Sequence, residues 1–555
     1  MIKDLTHPRN RGKRLFLGIV TAILLGIAYP PIPTGVTVFV AFIPFLLLLE
    51  DIQTYGETVR YGYFTLFIWH VIDGYWSGGF THARDIFLMI GGSSLLLLNP
   101  FFYLLALLAF QLYRKQFGLN AAVLVFPFFW ISIELLRANT QLALPWITLG
   151  NTQTYDLPVI QFASITGVYG ISFWILIINV TLFLLYKKLI LGEWKFLSPK
   201  PMFVLLFVLL VYLIPVIYGN IVLKESEQPT HYPKVKIALI QPNIDPFQKW
   251  EGNQYDPYDM QREMTRSLAG NPVDLVIWSE TAIPFYLLQP NYSYYLYSLK
   301  EQIDSQHINL LSGVPLITYT NKMGHAGGMN SNENEPVSSE SFNGSMLLQH
   351  NSDSIQTYAK MLLVPFAERV PYSEELGFLN ILKWNVGLGG WGIGNEKKIF
   401  HFRTNQGVEA SFSNMICFES IFPGFVSEFV RKGANFLTII TMDSWWGKTS
   451  GPYQHKQYAV LRAVENRRWI ARCATGGVSC FIDPFGHILQ SSELFTSQIV
   501  VGDIELRDDI TFYSRHGDWF AELCLLFAGM FTVSACGKKF YSYIRLQQGN
   551  TNELY

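Results

Sequence analysis

Long stretches of this chain carry no charged side chain at all: residues 15–49, 86–113, 116–133, 157–186 and 201–223. A bilayer core is crossed by about 20 apolar residues in a helix, so these stretches read as membrane spans before any other feature is weighed. Residues 15–49 are too long for one span and are interrupted by Pro30, Pro31 and Pro33. Proline removes a backbone donor and clashes with the preceding turn, so the stretch reads as two short helices joined by a tight hairpin. A further span is expected over 61–76, with Asp73 near its end, and another over 519–537. The expectation is seven spans before residue 224 and an eighth near the C-terminus.

Charge decides the sidedness. Lys3, Arg9, Arg11, Lys13 and Arg14 precede the first span, and alternate loops on that side carry Arg60, Arg114 with Lys115, and Lys187, Lys188, Lys195 and Lys200. The tail adds Lys538, Lys539 and Arg545, while the opposite short loops hold only Arg84 and Arg137. Basic loops mark the cytoplasmic face, which puts both termini inside. Ignoring the proline break would invert the parity and place the Lys187–Lys200 cluster outside. No small-residue cleavage site precedes the prolines, so the first helix reads as uncleaved rather than as a signal peptide.

Residues 234–506 have a different character. Short apolar runs at 235–240, 273–278, 308–312, 345–349, 410–416, 436–441, 469–473 and 478–482 are bounded by turn residues, which suits buried strands. Helical spacing at 258–268 and 454–468 lies between some of them, and 320–342 reads as a polar loop. The expected organisation is therefore 1–223 membrane helices, 234–506 an extracytoplasmic α/β domain, 518–537 the eighth span and 538–555 a cytoplasmic tail. With 41 basic and 42 acidic residues the chain has no net field to hold a nucleic acid. Five cysteines cannot staple 555 residues.

Three short stretches carry chemistry, two of them at the ends of expected strands and the third, with Lys360 and Glu368, beside an apolar run. Val-Ile-Trp-Ser leads into Glu280; Lys360 precedes Met-Leu-Leu-Val-Pro-Phe-Ala-Glu368; and Met-Ile leads into Cys417-Phe-Glu419. Functional groups of open α/β sheets gather beyond the carboxyl ends of strands. Taken singly, Cys417 reads most simply as packing, Glu280 as a solvated strand end and Lys360 as a surface lysine. Together they supply a nucleophile, a base and a positive charge for an oxyanion, the three parts of acyl transfer through a thiol.

These motifs resemble the Glu-Lys-Cys triad of the nitrilase, or carbon–nitrogen hydrolase, superfamily. With spans on both sides of the domain, the chain resembles the apolipoprotein N-acyltransferase family within it. Glu134-Leu-Leu-Arg137 with Leu144-Pro145-Trp146, Gln241-Pro-Asn243 with Trp250, and Asp443-Ser-Trp445-Trp446-Gly447 fit the same resemblance. It implies a multi-span helical membrane domain joined to a four-layer αββα nitrilase-like sandwich. It also implies catalysis by Glu280, Lys360 and Cys417, with support from Glu368 and Glu419. Trp250, Trp445 and Trp446 would lie near a lipid entrance. The implied reaction moves an sn-1 acyl chain from phospholipid through a Cys417 thioester to the α-amino group of a diacylglyceryl-cysteine lipoprotein, at the bacterial inner membrane. The alternative is a membrane-anchored amidase that releases the acyl group to water. Three positions depart from the family's pattern: Leu362 in place of histidine, Ala367 in place of glycine and Phe418 in place of tyrosine.

No cofactor and no metal are expected, since the histidines show no ligand spacing and no Cys-x-x-Cys is present. Gly387-Leu-Gly389-Gly-Trp-Gly392 matches a dinucleotide string, but no strand precedes it, and it reads as a loop. Cys473 and Cys480 read as packing, although their spacing would permit a pair. Glu134 and Arg137, one turn apart, could form an ion pair.

Overall fold

A computed structural model describes residues 8–33, 35–78, 86–246, 249, 253–320, 338–377 and 390–552. Trp250, the segment 381–388, most of the polar 320–342 loop and Gly387–Gly389 of the glycine string lie outside them. The chain divides into two compact units, one of Met1–Gly78, Ser93–Gln228 and His516–Tyr555, the other of Gly79–Gly92 and Pro229–Arg515.

The first unit is helical. Pro8–Gly26 and Val38–Asp51 are separate helices, with the three prolines in the turn between them. Tyr55–Gly74, Ile86–Phe117, Leu119–Ala138, Ala163–Ile190, Pro199–Ser226 and Trp519–Asn552 complete the set of long helices. Among the described residues, five segments are long and apolar enough to cross a membrane: Met89–Phe117, Leu119–Ala138, Ala163–Ile190, Pro199–Ser226 and Trp519–Arg545. Val38–Asp51 is short, at 14 residues, and Tyr55–Gly74 carries Glu57, Arg60 and Asp73.

Basic and acidic groups meet at one end of this bundle. Arg14 pairs with Asp51 at 2.5 Å and Glu57 at 2.8 Å, and Lys187 pairs with Glu50 at 2.7 Å. Arg114 donates to the carbonyls of Leu49, Glu50 and Ile52. A cation there complements the unpaired carbonyls and the negative pole of a helix C-terminus. Glu134 and Arg137 form no ion pair. Glu134 Oε1 instead accepts from Trp130 Nε1 and from the Leu149 N–H. The Arg137 guanidinium lies 5.0 Å from the centre of the Tyr103 ring.

The second unit is a four-layer αββα sandwich. Its strands are β1 Lys234–Gln241, β2 Leu275–Trp278, β3 Asn309–Thr320, β4 Ser338–Leu348, β5 Ile355–Ala359, β6 Phe400–Arg403, β7 Glu409–Ile416, β8 Phe436–Thr441, β9 Ile470–Ala474, β10 Cys480–Ile482, β11 Ile488–Leu489 and β12 Gln498–Glu505. One sheet has the order β12-β1-β2-β3-β4-β5, the other β11-β10-β9-β8-β7-β6. In each, three central strands are parallel (β1, β2, β3 and β7, β8, β9) and the outer ones antiparallel. Central parallel strands are covered on both faces, which explains why β2, β8 and β9 are buried at every position.

Helices Asp256–Arg266 and Ser293–Gln306 cover the first sheet, packing Tyr258, Leu299 and Ile303 against Ile240, Trp278 and Leu310. Between the sheets, Cys473 Sγ lies 3.2 Å from the carbonyls of Ile240 and Ile277, and Asn414 Nδ2 donates to Ser345 Oγ at 3.0 Å. Cys473 and Cys480 are both buried and free, and the other three cysteines are free as well. Cys473 therefore serves as small apolar packing between sheets.

In the helical unit one side chain bridges two helices through the backbone. Asn179 accepts from the Phe42 N–H at 2.9 Å and donates to the carbonyls of Val38 and Ile175. Val38 and Phe42 are four residues apart, the pair an uninterrupted helix would join directly, so the amide inserts into that ladder. Asn179→Leu strands a buried N–H and carbonyl. We expect it to lower stability by roughly 1–2 kcal/mol, read as a lower thermal midpoint of the full-length protein in detergent.

Candidate functional site

Three strand ends of the sandwich converge. Glu280 follows β2 after Ser279, Lys360 follows β5, and Cys417 follows β7 and opens a single 3₁₀ turn, Cys417–Ile421. Lys360 Nζ is 3.2 Å from Glu280 Oε1 and 2.9 Å from Glu368 Oε1. Asn343 Nδ2 donates to the same two oxygens, at 2.9 Å to Glu280 and 3.0 Å to Glu368. Glu280 Oε2 accepts from the Met442 N–H, and Glu368 Oε2 from the Val364 N–H. Both carboxylates are thus oriented by fixed donors, and Lys360 is fully buried between them.

The electrostatics follow from burial and neighbours. Burial alone would lower the Lys360 ammonium, but Glu280 and Glu368 outweigh it and hold the group above its ordinary value. Burial pushes the Cys417 thiol well up; Glu280 adds to that and Lys360 opposes it. The cysteine is 8% exposed. It therefore rests as a thiol whose ionised form depends on the nearby ammonium.

Backbone strain marks the same places. Cys417 has φ 53°, Thr281, next to Glu280, has φ 45°, and Phe366, two residues before Glu368, has φ 64°. Residues other than glycine rarely adopt this left-handed region, and such strain collects at functional sites. Gly313 of β3 makes room for one of these turns. A methyl on it would lie 2.4 Å from the Thr281 nitrogen and 2.6 Å from the Ser279 carbonyl oxygen.

Glu419 works as a latch. Its Oε1 accepts from Tyr358 Oη at 2.6 Å and the Met361 N–H at 2.7 Å, and its Oε2 from the Ile416 N–H at 2.8 Å. One carboxylate thereby joins the segment carrying Lys360 to the residue before Cys417. Burial pushes Glu419 up to about 7, against the donors from Tyr358, Ile416 and Met361. Trp445 and Trp446 are half-buried, in a 3₁₀ turn after β8.

Two family profiles match the chain. The one described as "Apolipoprotein N-acyltransferase N-terminal domain" covers residues 21–181, and the one described as "Carbon-nitrogen hydrolase" covers 236–510. A Chlorobaculum tepidum protein named apolipoprotein N-acyltransferase is 34% identical over 96% of this chain and 98% of its own length. The chain belongs to the apolipoprotein N-acyltransferase family. A Geobacter metallireducens protein of the same name is 30% identical over 94% of this chain and 95% of its own length. With five apolar helices and these relatives, the chain is a bacterial membrane protein carrying a nitrilase-fold domain.

The three departures from the family pattern have local settings. Leu362 presents its N–H to Glu419 at 3.3 Å. Ala367 lies between strained Phe366 and Glu368. The Phe418 ring is buried, 5.1 Å from that of Phe422.

Several buried residues at the site were not singled out from sequence. Asn343 bridges Glu280 and Glu368, as described above. Lys249 Nζ donates to the Glu280 carbonyl at 3.2 Å and to Thr281 Oγ1 at 2.6 Å. Burial pushes it down to about 7, with Glu280 opposing. Asp443, His455 and Arg472 form a cluster beside Cys417, and ligand atoms of Cys417, Asp443 and His455 lie within 4.8 Å of one another. Arg472 already holds Asp443 Oδ2, and His455 Nδ1 holds Oδ1, so both carboxylate oxygens are engaged by protein groups. Nothing about an isolated Asn, Lys or His announces such a role; only the fold brings them in.

Gly313→Ala tests the close approach beneath Glu280. The added methyl must displace the Ser279–Thr281 backbone, and overpacking of this kind costs about 1–3 kcal/mol. The expected outcome is a lower thermal midpoint together with loss of acyl-transfer activity, whereas Gly56→Ala, at the start of the helix Tyr55–Gly74 with nothing within 4 Å, leaves activity unchanged.

Proposed function

We propose that this protein transfers an sn-1 acyl chain from a phospholipid to the α-amino group of the diacylglyceryl-cysteine that begins a lipoprotein, by a two-step ping-pong reaction. The observation that carries the reading is the buried convergence of a carboxylate, an ammonium and a thiol at three strand ends. Membership of the apolipoprotein N-acyltransferase family supplies the substrate class.

In the first step Glu280 takes the Cys417 proton and the thiolate attacks the ester carbonyl. The S–C bond forms as Lys360 stabilises the tetrahedral oxyanion. The ester C–O bond then breaks, and the proton on Glu280 passes to the departing lysophospholipid. In the second step the α-amine attacks the thioester, Glu280 accepts its proton, and the thiol returns as the amide forms. Glu368 holds the Lys360 ammonium, and Glu419 holds the lysine segment to the nucleophile turn. Trp445 and Trp446 line the approach for lipid. The charge Lys360 supplies matters because electrostatic stabilisation in a dry site far exceeds that in water.

Location follows the same reading. The seven helices before residue 224 and the one after residue 518 cross the inner membrane, with both termini cytoplasmic and the 234–506 domain periplasmic. The gathering of Arg14, Arg114 and Lys187 at one end of the bundle supports a single cytoplasmic face. A diacyl lipid costs about 0.8 kcal/mol per methylene to expose, so an enzyme with lipid donor and lipid acceptor is expected to remain embedded.

The test uses the full-length protein with phospholipid labelled at sn-1. The expected outcome is lysophospholipid release and a labelled thioester on Cys417, absent in Cys417→Ala, which discharges when a diacylglyceryl peptide is added. Lys360→Met should slow thioester formation by at least ~100-fold, the scale of one lost oxyanion donor. Discharge to water as fast as to the peptide would instead identify a hydrolase.

A further inference from the structure

The turn that carries Cys417 is held from behind by groups the proposed chemistry does not use. The Cys417 carbonyl accepts Ser420 Oγ at 2.7 Å, and His455 Nε2 lies 3.2 Å from that carbonyl and 2.9 Å from Ser420 Oγ. His455 Nδ1 is 2.8 Å from Asp443 Oδ1, which also accepts Thr441 Oγ1 at 2.7 Å. Asp443 Oδ2 is held by Arg472, which donates in turn to the Val478 carbonyl. His455, Asp443 and Arg472 are completely buried and Ser420 nearly so.

A carboxylate only accepts, so His455 Nδ1–H donates to Asp443, while Nε2 stands within hydrogen-bond distance of Ser420 Oγ and the Cys417 carbonyl. The serine hydroxyl gives its proton to that carbonyl. Asp443 remains an acceptor throughout: burial would raise it, but Arg472 and His455 outweigh that and hold it well below the usual carboxylate range.

We propose that His455 is a positioning residue for the nucleophile, acting through Ser420 in a buried relay from Arg472 and Asp443 that locks the Cys417 turn in its left-handed conformation. Cys417 is at φ 53°, and strain of this kind persists only where the surroundings over-determine it. The Ser420 hydroxyl on the Cys417 carbonyl, with His455 Nε2 against both, supplies that constraint. The relay lies on the side of the turn opposite in chain direction to the Glu419 latch, which grips the Ile416 N–H. The turn is therefore clamped at the peptide before Cys417 and at the carbonyl after its Cα. The effect of His455 is on where Sγ sits relative to Glu280 and Lys360.

This inference rests on Cys417 being the nucleophile, and its test separates the two claims. The rate of Cys417 alkylation by iodoacetamide, followed by peptide mass spectrometry on the full-length protein, requires no acyl transfer. His455→Phe and Ser420→Ala are each expected to slow it about tenfold and to lower kcat with KM for phospholipid unchanged. His455→Gln, which keeps a donor near Nε2, and Ser420→Thr, which keeps the hydroxyl, are expected to recover most of the rate. The double variant His455→Phe with Ser420→Ala should be no slower than either alone, because both break one chain. Unchanged alkylation in His455→Phe, or effects that multiply in the double variant, would overturn the relay. Should His455→Phe not fold, Ser420→Ala decides alone: a tenfold loss with rescue by threonine supports the relay, and an unchanged rate removes it. Acyl transfer that persists in Cys417→Ala would instead sink the thioester reading, whatever the relay does.

Discussion

The Lys360 ammonium is the interaction on which the rest of the sandwich interior turns. A lysine with no solvent exposure would shed its proton or its burial, since taking an isolated cation out of water costs several kcal/mol even after relaxation. Here two carboxylates flank it, at 3.2 and 2.9 Å, and each carboxylate is itself held by a side-chain amide and a backbone N–H. Removing Lys360 would leave two buried carboxylates facing each other, and removing either carboxylate would strip the cation of one of its two partners. The arrangement explains why the strand ends bearing Glu280 and Lys360 are tied to each other through Asn343 rather than left as independent loops.

Cys417 depends on that cation from the other sheet. Burial and Glu280 both favour its thiol form, while Lys360 favours the thiolate, so the nucleophile is quiet until a proton acceptor and an ammonium act together. Geometry reinforces this dependence. Strained residues stand at Thr281, Phe366 and Cys417, next to each of the three charged or nucleophilic segments. A close-packed glycine at Gly313 and a four-donor carboxylate at Glu419 stabilise those segments. Stability of the fold and placement of the site are served by the same bonds.

How much of this was legible in the sequence depended on the physical signal each part carries. The proline break at Pro30–Pro33 and the uncharged runs gave the helices, because bilayer-length apolarity is hard to produce by accident. Strands buried on both faces, such as β8 over Phe436–Thr441, were visible as continuous apolar runs. Those with an exposed face were not: β5 reads Ile-Gln-Thr-Tyr-Ala and β12 alternates exposed and buried positions, too polar to stand out. Helices Ser293–Gln306 and Pro423–Arg431 were missed for the same reason. Glu280 and Cys417 could be picked out because each ends a visible apolar strand, and Lys360 because it stands beside an apolar run that leads to Glu368. Asn343 lies inside β4 and His455 inside the helix Gly451–Asn466, where neither composition nor spacing distinguishes them from ordinary polar residues.

The contrast between Glu134 and Glu419 shows why spacing alone misleads about buried charge. Arg137, one turn beyond Glu134, suggests an ion pair on a helix face, yet Glu134 turns to Trp130 and the Leu149 N–H while Arg137 stacks on Tyr103. Glu419 has no cation beside it in sequence and makes no salt bridge among the described residues, but it gathers backbone and phenol donors from two segments. In both cases a buried carboxylate takes its donors from neutral N–H and O–H groups. Such groups orient it without the desolvation cost of bringing in a second charge. The buried pairs at Lys360 and at Arg472 stand against Cys417, while the buried Arg462–Glu465 pair lies within one turn of the helix Gly451–Asn466.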